Sequence, residues 1–365
     1  MSDTGGGHRA SAEAIREGIE ALYPGQYEII IDDIWKRQAP WPLNALPAAY
    51  GWVTGPGLPV WRLLWRLSNA PRRLRYIFAA VAPLVKPNVV RYLKTVQPDL
   101  VVSVHPLMNH LGLTCLKAAG IDVPFVTVVT DLVSFHLAWI CPDVTHCIVP
   151  TEPARQRALA LGMPRRKLSV RGQPVSLRFA MRTESKEALR RQLALDIDRY
   201  ALLLVGGGEG SGRLYRIAHQ LAHTVPNIQL LIVTGRNRAL NRQLSAVDWA
   251  APTRVYGFVD NMPALMQAAD ILITKAGPGA ISEAFITGLP SILISYIPGQ
   301  ETGNVAYVQT HGAGVYGEDP KDIAQLVLSW LTPDNATVPR MVANATRLAR
   351  PQASLEIAAE LCRYL

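Results

Sequence analysis

Nine short apolar runs, set between segments of helical pattern along the whole chain, constrain the fold more than anything else in the sequence. Four stand in the first half, EIIIDDI, DLVVSVHPL, FVTVVTDL and HCIVPTE, and five in the second, YALLLVGGG, IQLLIVTGR, TRVYGFVD, ADILITKAG and PSILISYI. A strand that is apolar without alternation is covered on both faces, and such strands alternating with helices form parallel sheets. The expected class is therefore α/β. At 365 residues the chain suits two Rossmann-like domains rather than one core. A strand ends in the Gly/Pro turn RGQPV at 171–175, which places an N-terminal domain over 1–172 and a C-terminal domain over 173–349. A last helix over about 350–365 is free to pack on either domain.

Three glycine clusters mark strand ends, where open parallel sheets bind ligands. They are Gly5-Gly6-Gly7-His8, then Gly206 to Gly210 after YALLLV, and TKAGPGAISEA at 274–284, where Gly277 and Gly279 open a helix. Glycine lets a backbone approach a ligand closely, and the amides of a helix N-terminus hold a diphosphate. None of the three is a Walker loop or a GxGxxG fingerprint with its acid in place. A tight turn also uses glycine for steric reasons alone, so it is their joint occurrence in both domains that points to a nucleotide diphosphate.

The net charge of +9 is confined to one stretch. Between Asp33 and Asp99 there is no acidic residue, while Lys36, Arg37, Arg62, Arg66, Arg72, Arg73, Arg75, Lys86, Arg91 and Lys94 all fall there. Without these ten, the 37 Lys and Arg drop to 27 against 28 acidic residues. Five of the eight tryptophans, Trp35, Trp41, Trp52, Trp61 and Trp65, lie in the same window. Aromatic rings and cations together suit a lipid headgroup layer, with anionic lipids as partners. The expected contact is made by Trp52, Trp61, Arg62, Trp65, Arg66, Arg72 and Arg73; the plainer alternative is a solvated helix on its own sheet. Segment 40–60 carries five prolines and reads as too broken for a regular helix. No recognised nucleic-acid module accompanies the basic stretch. The longest apolar candidate, YIFAAVAPLV at 76–85, falls short of the roughly 18 residues of a membrane span. The four cysteines form no CxxC pair, so neither zinc nor a disulfide framework is expected.

The stretches SDTGGGHRASAEAI, DDIW, APWPLNALPAAY, QPDLVVSVHPLMNH, TVVTDL, LLLVGGGEG, GRN, KAGPGAISEA and YIPGQETGNVAYV together resemble the monogalactosyldiacylglycerol synthase family. The resemblance runs in order from residue 2 to the C-terminal helix. It implies a GT-B fold of glycosyltransferase family 28, with two Rossmann-like domains and an interdomain cleft. It further implies a UDP-galactose donor, a diacylglycerol acceptor, an inverting transfer without a metal cofactor, and peripheral attachment to the cytoplasmic face of a membrane. A UDP-glucose donor, another lipid acceptor, or a nucleotide-sugar-binding membrane module without turnover remain the alternatives. The oligomeric state is not legible.

In such a transfer the acceptor hydroxyl loses its proton as it attacks, so a base and a stabilised diphosphate suffice. His8, brought to the cleft by Gly7 and its neighbours, is the expected base, since an imidazole titrates near neutrality. Asp131 either orients that histidine or is itself the base; as plainer roles it caps a turn and His8 is a loop residue. On the donor side, the amides of Gly277, Pro278, Gly279 and Ala280, with Ser282, are assigned to the diphosphate, together with Gly207 and Gly208. Glu283 resembles an acid that accepts ribose hydroxyls; Gln300, Glu301 and Asn304 suit the hexose. Arg236 adds charge near the phosphates, and Phe258 and Val259 border the uracil, although core packing is the readier explanation for Phe258. His219 and His223 look like a zinc pair but lack the acid and a third ligand. A Rossmann-like domain should also open with a buried strand before its first glycine turn, and only Met1 to Thr4 precede this one, which suggests that the natural start lies upstream.

Overall fold

The apolar runs become strands wherever a parallel neighbour meets them. In a computed structural model describing residues 1–2, 6–182, 184–206, 213–332 and 335–365, the chain divides into two units. The first comprises Met1–Leu177, Ile297–Gly303 and Gln352–Leu365; the second comprises Arg178–Tyr296 and Asn304–Pro351. The assignments of Gly207 and Gly208 lie outside the described residues.

The first unit carries strands β1 (Val101–Ser103), β2 (Phe125–Val128), β3 (His146–Val149) and β4 (Leu168–Val170), parallel and in sequence order. Successive residues of a strand face opposite sides. Phe125 therefore packs with Leu111, Cys115 and Leu116 on one face of this sheet. Val126 and Val128 pack with Ile15, Ile19, Ile148, Ile357 and Leu361 on the other. The last two belong to the Ala353–Leu361 helix, which lies against the Gly7–Leu22 helix. Gly18 makes that approach possible: a Cβ there would stand 2.4 Å from the carbonyl oxygen of Ser354. Glu360 ties the same helix to β3 and β4, accepting from Ser169 Oγ and His146 Nε2 at 2.8 Å each and from Arg171 Nε at 2.5 Å. Burial alone would push its carboxyl up, but these donors prevail and hold it at about 2.

The second unit carries β5 (Tyr200–Val205), β6 (Ile228–Val233), β7 (Thr253–Tyr256), β8 (Ile271–Lys275), β9 (Ser291–Ser295) and β10 (Gly314–Tyr316). They form one parallel sheet in the order β10-β9-β8-β5-β6-β7. Leu202, Leu204, Leu230, Ile232, Ile271, Ile273 and Ile292 fill its core against Leu214, Ile217 and Leu221 of the Arg213–Thr224 helix.

Three sequence expectations change here. EIIIDDI carries no strand among the described residues: Met1 N donates to Asp32 O at 2.9 Å, Ile34 opens a short helix, and Ile29 and Ile31 pack against the core while Ile30 is exposed. Segment 40–60 is helical over Leu46–Val53 and again from Leu58, where a helix runs to Ser68. Pro47 and Pro59 stand in the first turns of these helices, where a missing N–H breaks no bond. Trp35 is core rather than surface, buried with its Nε1 donating to Leu43 O at 2.6 Å.

Candidate functional site

In the first unit the site grows from two turns. Gly6 adopts φ +81° and starts the Gly7–Leu22 helix, which presents His8 in its first turn, partly exposed. The chain leaving β2 presents Thr130 and Asp131. His8 Nδ1 meets Thr130 Oγ1 at 2.9 Å. Its ring stands edge-on to His105 at 4.6 Å and tilted to Trp139 at 6.0 Å between centroids. Burial, with His8 beside it, holds His105 well below the usual histidine range, so a neutral ring backs His8.

Asp131 is buried, and Trp139 Nε1 donates to its Oδ2 at 2.7 Å. Its Oδ1 accepts from Gln300 Nε2 at 3.0 Å. Tyr50 donates its hydroxyl to Gln300 Oε1 at 3.0 Å. The backbone of Ile297–Gly303 is clamped as well: Ser134 Oγ donates to Gln300 O at 2.9 Å and accepts from Gly303 N at 3.0 Å. Glu301, also buried, accepts the Ile297 amide at 2.8 Å. Gln300 and Glu301 thus belong to the first unit and Asn304 to the second. Asn304 donates Nδ2 to Ala276 O at 2.9 Å, and its buried Oδ1 has no hydrogen-bond partner among the described residues.

In the second unit, the Pro278–Thr287 helix starts at Gly277 with no side-chain cap. The assignment of its amides narrows, because Pro278 has no N–H and Gly277 donates its own to Lys275 O at 2.7 Å. Gly279 and Ala280 are left as the outward donors of the first turn. Ser282 and Glu283 follow, and a Cβ on Gly279 would stand 3.7 Å from Glu283 Oε1. Burial pushes the Glu283 carboxyl up to about 7, although the residue keeps some exposure. After β6, Gly235 turns the chain with φ +61° and Arg236 lays its guanidinium 5.0 Å from the Phe258 ring centroid. Phe258 is 64% exposed, so core packing does not explain it; Val259 beside it is half-buried.

The Leu58–Ser68 helix turns Trp61 and Trp65 toward the protein. Trp61 Nε1 donates to Pro298 O at 3.0 Å, and the Trp65 ring meets His136 at 4.9 Å. Its outer side exposes Val60, Leu63, Leu64 and Leu67 with Arg62 and Arg66; Trp52, Arg72, Arg73 and Arg75 are exposed on adjoining helices. His219 and His223 stack on one another, and among the described residues no group of three or more His, Cys, Asp or Glu could hold a metal ion. No helix among them is long and apolar enough to cross a membrane.

Thr130, Trp139, Ser134 and Tyr50 were not singled out in the sequence. The available signals were the position of Thr130 beside Asp131 and that of Tyr50 at the end of APWPLNALPAAY.

The sequence profile of monogalactosyldiacylglycerol (MGDG) synthase matches residues 8–175, and that of the glycosyltransferase family 28 C-terminal domain matches 201–350. A probable monogalactosyldiacylglycerol synthase, chloroplastic, of Glycine max is 42% identical over 99% of this chain and 70% of its own length. Monogalactosyldiacylglycerol synthase 1, chloroplastic, of Arabidopsis thaliana is 41% identical over 98% of this chain and 68% of its own. Among solved structures, Acinetobacter baumannii MurG aligns with a TM-score of 0.55 at 17% identity, covering 77% of this chain and 80% of that one. Staphylococcus aureus MnaA with UDP aligns at 0.59 and 13% identity, covering 79% and 81%. These structural likenesses show the GT-B fold.

Proposed function

The chain belongs to the monogalactosyldiacylglycerol synthase family and is a glycosyltransferase, and from that premise we propose that it transfers galactose from UDP-galactose to 1,2-diacylglycerol with inversion. The observation that carries the mechanism is the His8–Thr130 bond, which fixes a partly exposed imidazole beside Asp131 at the carboxyl end of β2. His8 takes the proton of the acceptor hydroxyl as its oxygen attacks the anomeric carbon, and the bond from that carbon to the UDP oxygen breaks. Asp131 supplies fixed negative charge to the corner where the imidazolium forms.

On the donor unit, the Gly279 and Ala280 amides and the positive end of the helix meet the diphosphate, with Arg236 adding charge. No metal is assigned to this step. Glu283, poised near neutrality, can both donate to and accept from ribose hydroxyls. Phe258 and Val259 offer an apolar edge to the uracil, and the buried Oδ1 of Asn304 is the acceptor offered to a hexose hydroxyl. The acceptor is a lipid, and the leucine-and-arginine side of the Leu58–Ser68 helix would rest on an anionic membrane surface.

Purified protein in mixed micelles of diacylglycerol, supplied separately with labelled UDP-galactose and UDP-glucose, tests the substrates. Label should enter the lipid fraction from galactose. Incorporation from glucose alone would make the chain a glucosyltransferase, and incorporation from neither would remove both donors.

A further inference from the structure

The Asp131 carboxylate is 4% exposed, and each of its oxygens accepts a side-chain hydrogen bond. A carboxylate only accepts, so the nitrogen end of the Gln300 amide must face it. The oxygen end then faces a donor, and the Tyr50 hydroxyl supplies one at 3.0 Å. Burial, with Glu301 and Asp131 nearby, pushes the Tyr50 phenol well above its ordinary range, so the hydroxyl keeps its proton. The main chain of Gln300 has no more freedom than its side chain. Ser134 Oγ bonds the Gln300 carbonyl and the Gly303 amide, and a Cβ on Gly299 (φ +86°) would stand 2.6 Å from the Trp65 indole. An amide recruited to bind hexose hydroxyls would have to give up both of these partners.

We infer that Gln300, oriented by Tyr50, is a positioning residue that holds the Asp131 carboxylate in one orientation beside His8. The inference rests on the reading that His8 and Asp131 act together on the acceptor hydroxyl. Trp139 is the second arm of the same clamp, since its ring faces His8 while its Nε1 holds the other carboxylate oxygen. Two N–H donors fix the position and keep the charge of a buried carboxylate, so its field acts on His8 without first reorienting. Tyr50 and Arg157 are titratable groups that feel the field of Asp131, and Glu301 acts on Tyr50.

The test compares pH profiles of kcat for the wild type and for Asp131→Asn, Tyr50→Phe and Gln300→Leu, with UDP-galactose and detergent-dispersed diacylglycerol. Asp131→Asn removes the charge that favours the protonated imidazole, so kcat should fall and the acid limb should move to lower pH. Tyr50→Phe leaves every charge in place but frees the amide. It should lower kcat by roughly fivefold, the worth of one hydrogen bond, move the acid limb the same way by less, and leave KM for UDP-galactose within about twofold. Gln300→Leu should do the same to a greater degree. Thermal unfolding of each variant shows that it is folded. Wild-type kinetics in Tyr50→Phe with an impaired Asp131→Asn would overturn the positioning role alone, as would a Gln300→Leu enzyme that raises only KM. Wild-type kinetics in Asp131→Asn would overturn the underlying reading as well.

Discussion

His8 and His105 are chemically different although their rings touch. His105 is buried and held neutral, whereas His8 keeps partial access to solvent and bonds the Thr130 hydroxyl. Only the second arrangement lets an imidazole receive a proton from an incoming substrate and release it afterwards. His8→Ala should therefore lower kcat by roughly 10² to 10⁴, the usual contribution of a general base, while UDP binding measured by calorimetry stays near wild type. Near-normal turnover would remove His8 from the mechanism. The helix start at His8 was legible from the glycine turn before it. The partners of His8 were not. Thr130 lies 122 residues from His8, Gln300 lies 169 from Asp131, and Tyr50 lies 250 from Gln300, so only the folded chain brings these side chains together. Gln300, expected among the hexose contacts, donates Nε2 to Asp131 in the fold, a bond its sequence context does not signal.

At the level of elements, the Leu58–Ser68 helix has two distinct sides. One pins the 297–303 segment through Trp61 and Trp65; the other exposes Leu63, Leu64 and Leu67 among arginines. Exposed leucines on an amphipathic helix carrying cations suit the interface of an anionic membrane. Each near-surface cation is worth about 1 kcal/mol before screening. Replacing Arg62, Arg66, Arg72, Arg73 and Arg75 with glutamine should release the protein from anionic vesicles in a flotation assay, with circular dichroism confirming an intact fold. Unchanged flotation would make the patch a solvated face. Composition located the basic, exposed stretch in the chain but not which way its side chains face. Trp35 went to the core, Trp61 and Trp65 turned inward, and prolines that looked like helix breakers stand at helix starts. Tryptophan counts say nothing about which side of a helix each ring takes, since that depends on packing partners elsewhere in the chain.

Across the whole molecule, the long apolar strands carried the fold class, because β5, β6, β8 and β9 are buried almost end to end and show no polar alternation. Short or half-covered segments were harder. β10 spans three residues and gave no run to notice, and EIIIDDI has the composition of a strand but carries none among the described residues. The return of Ile297–Gly303 to the first unit had no local signal either, since it is defined by bonds to Ser134 and Asp131 rather than by its own composition. The proposed transfer, with His8 as base and no covalent sugar intermediate, is a one-step displacement that inverts the anomeric carbon. The galactosyl bond of UDP-galactose is α, so the most direct measurement is the anomeric configuration, by NMR, of the lipid formed from UDP-galactose and diacylglycerol. A β-galactosyl diacylglycerol is the expected product; an α-linked product, or galactose released only into water, would contradict the proposed transfer.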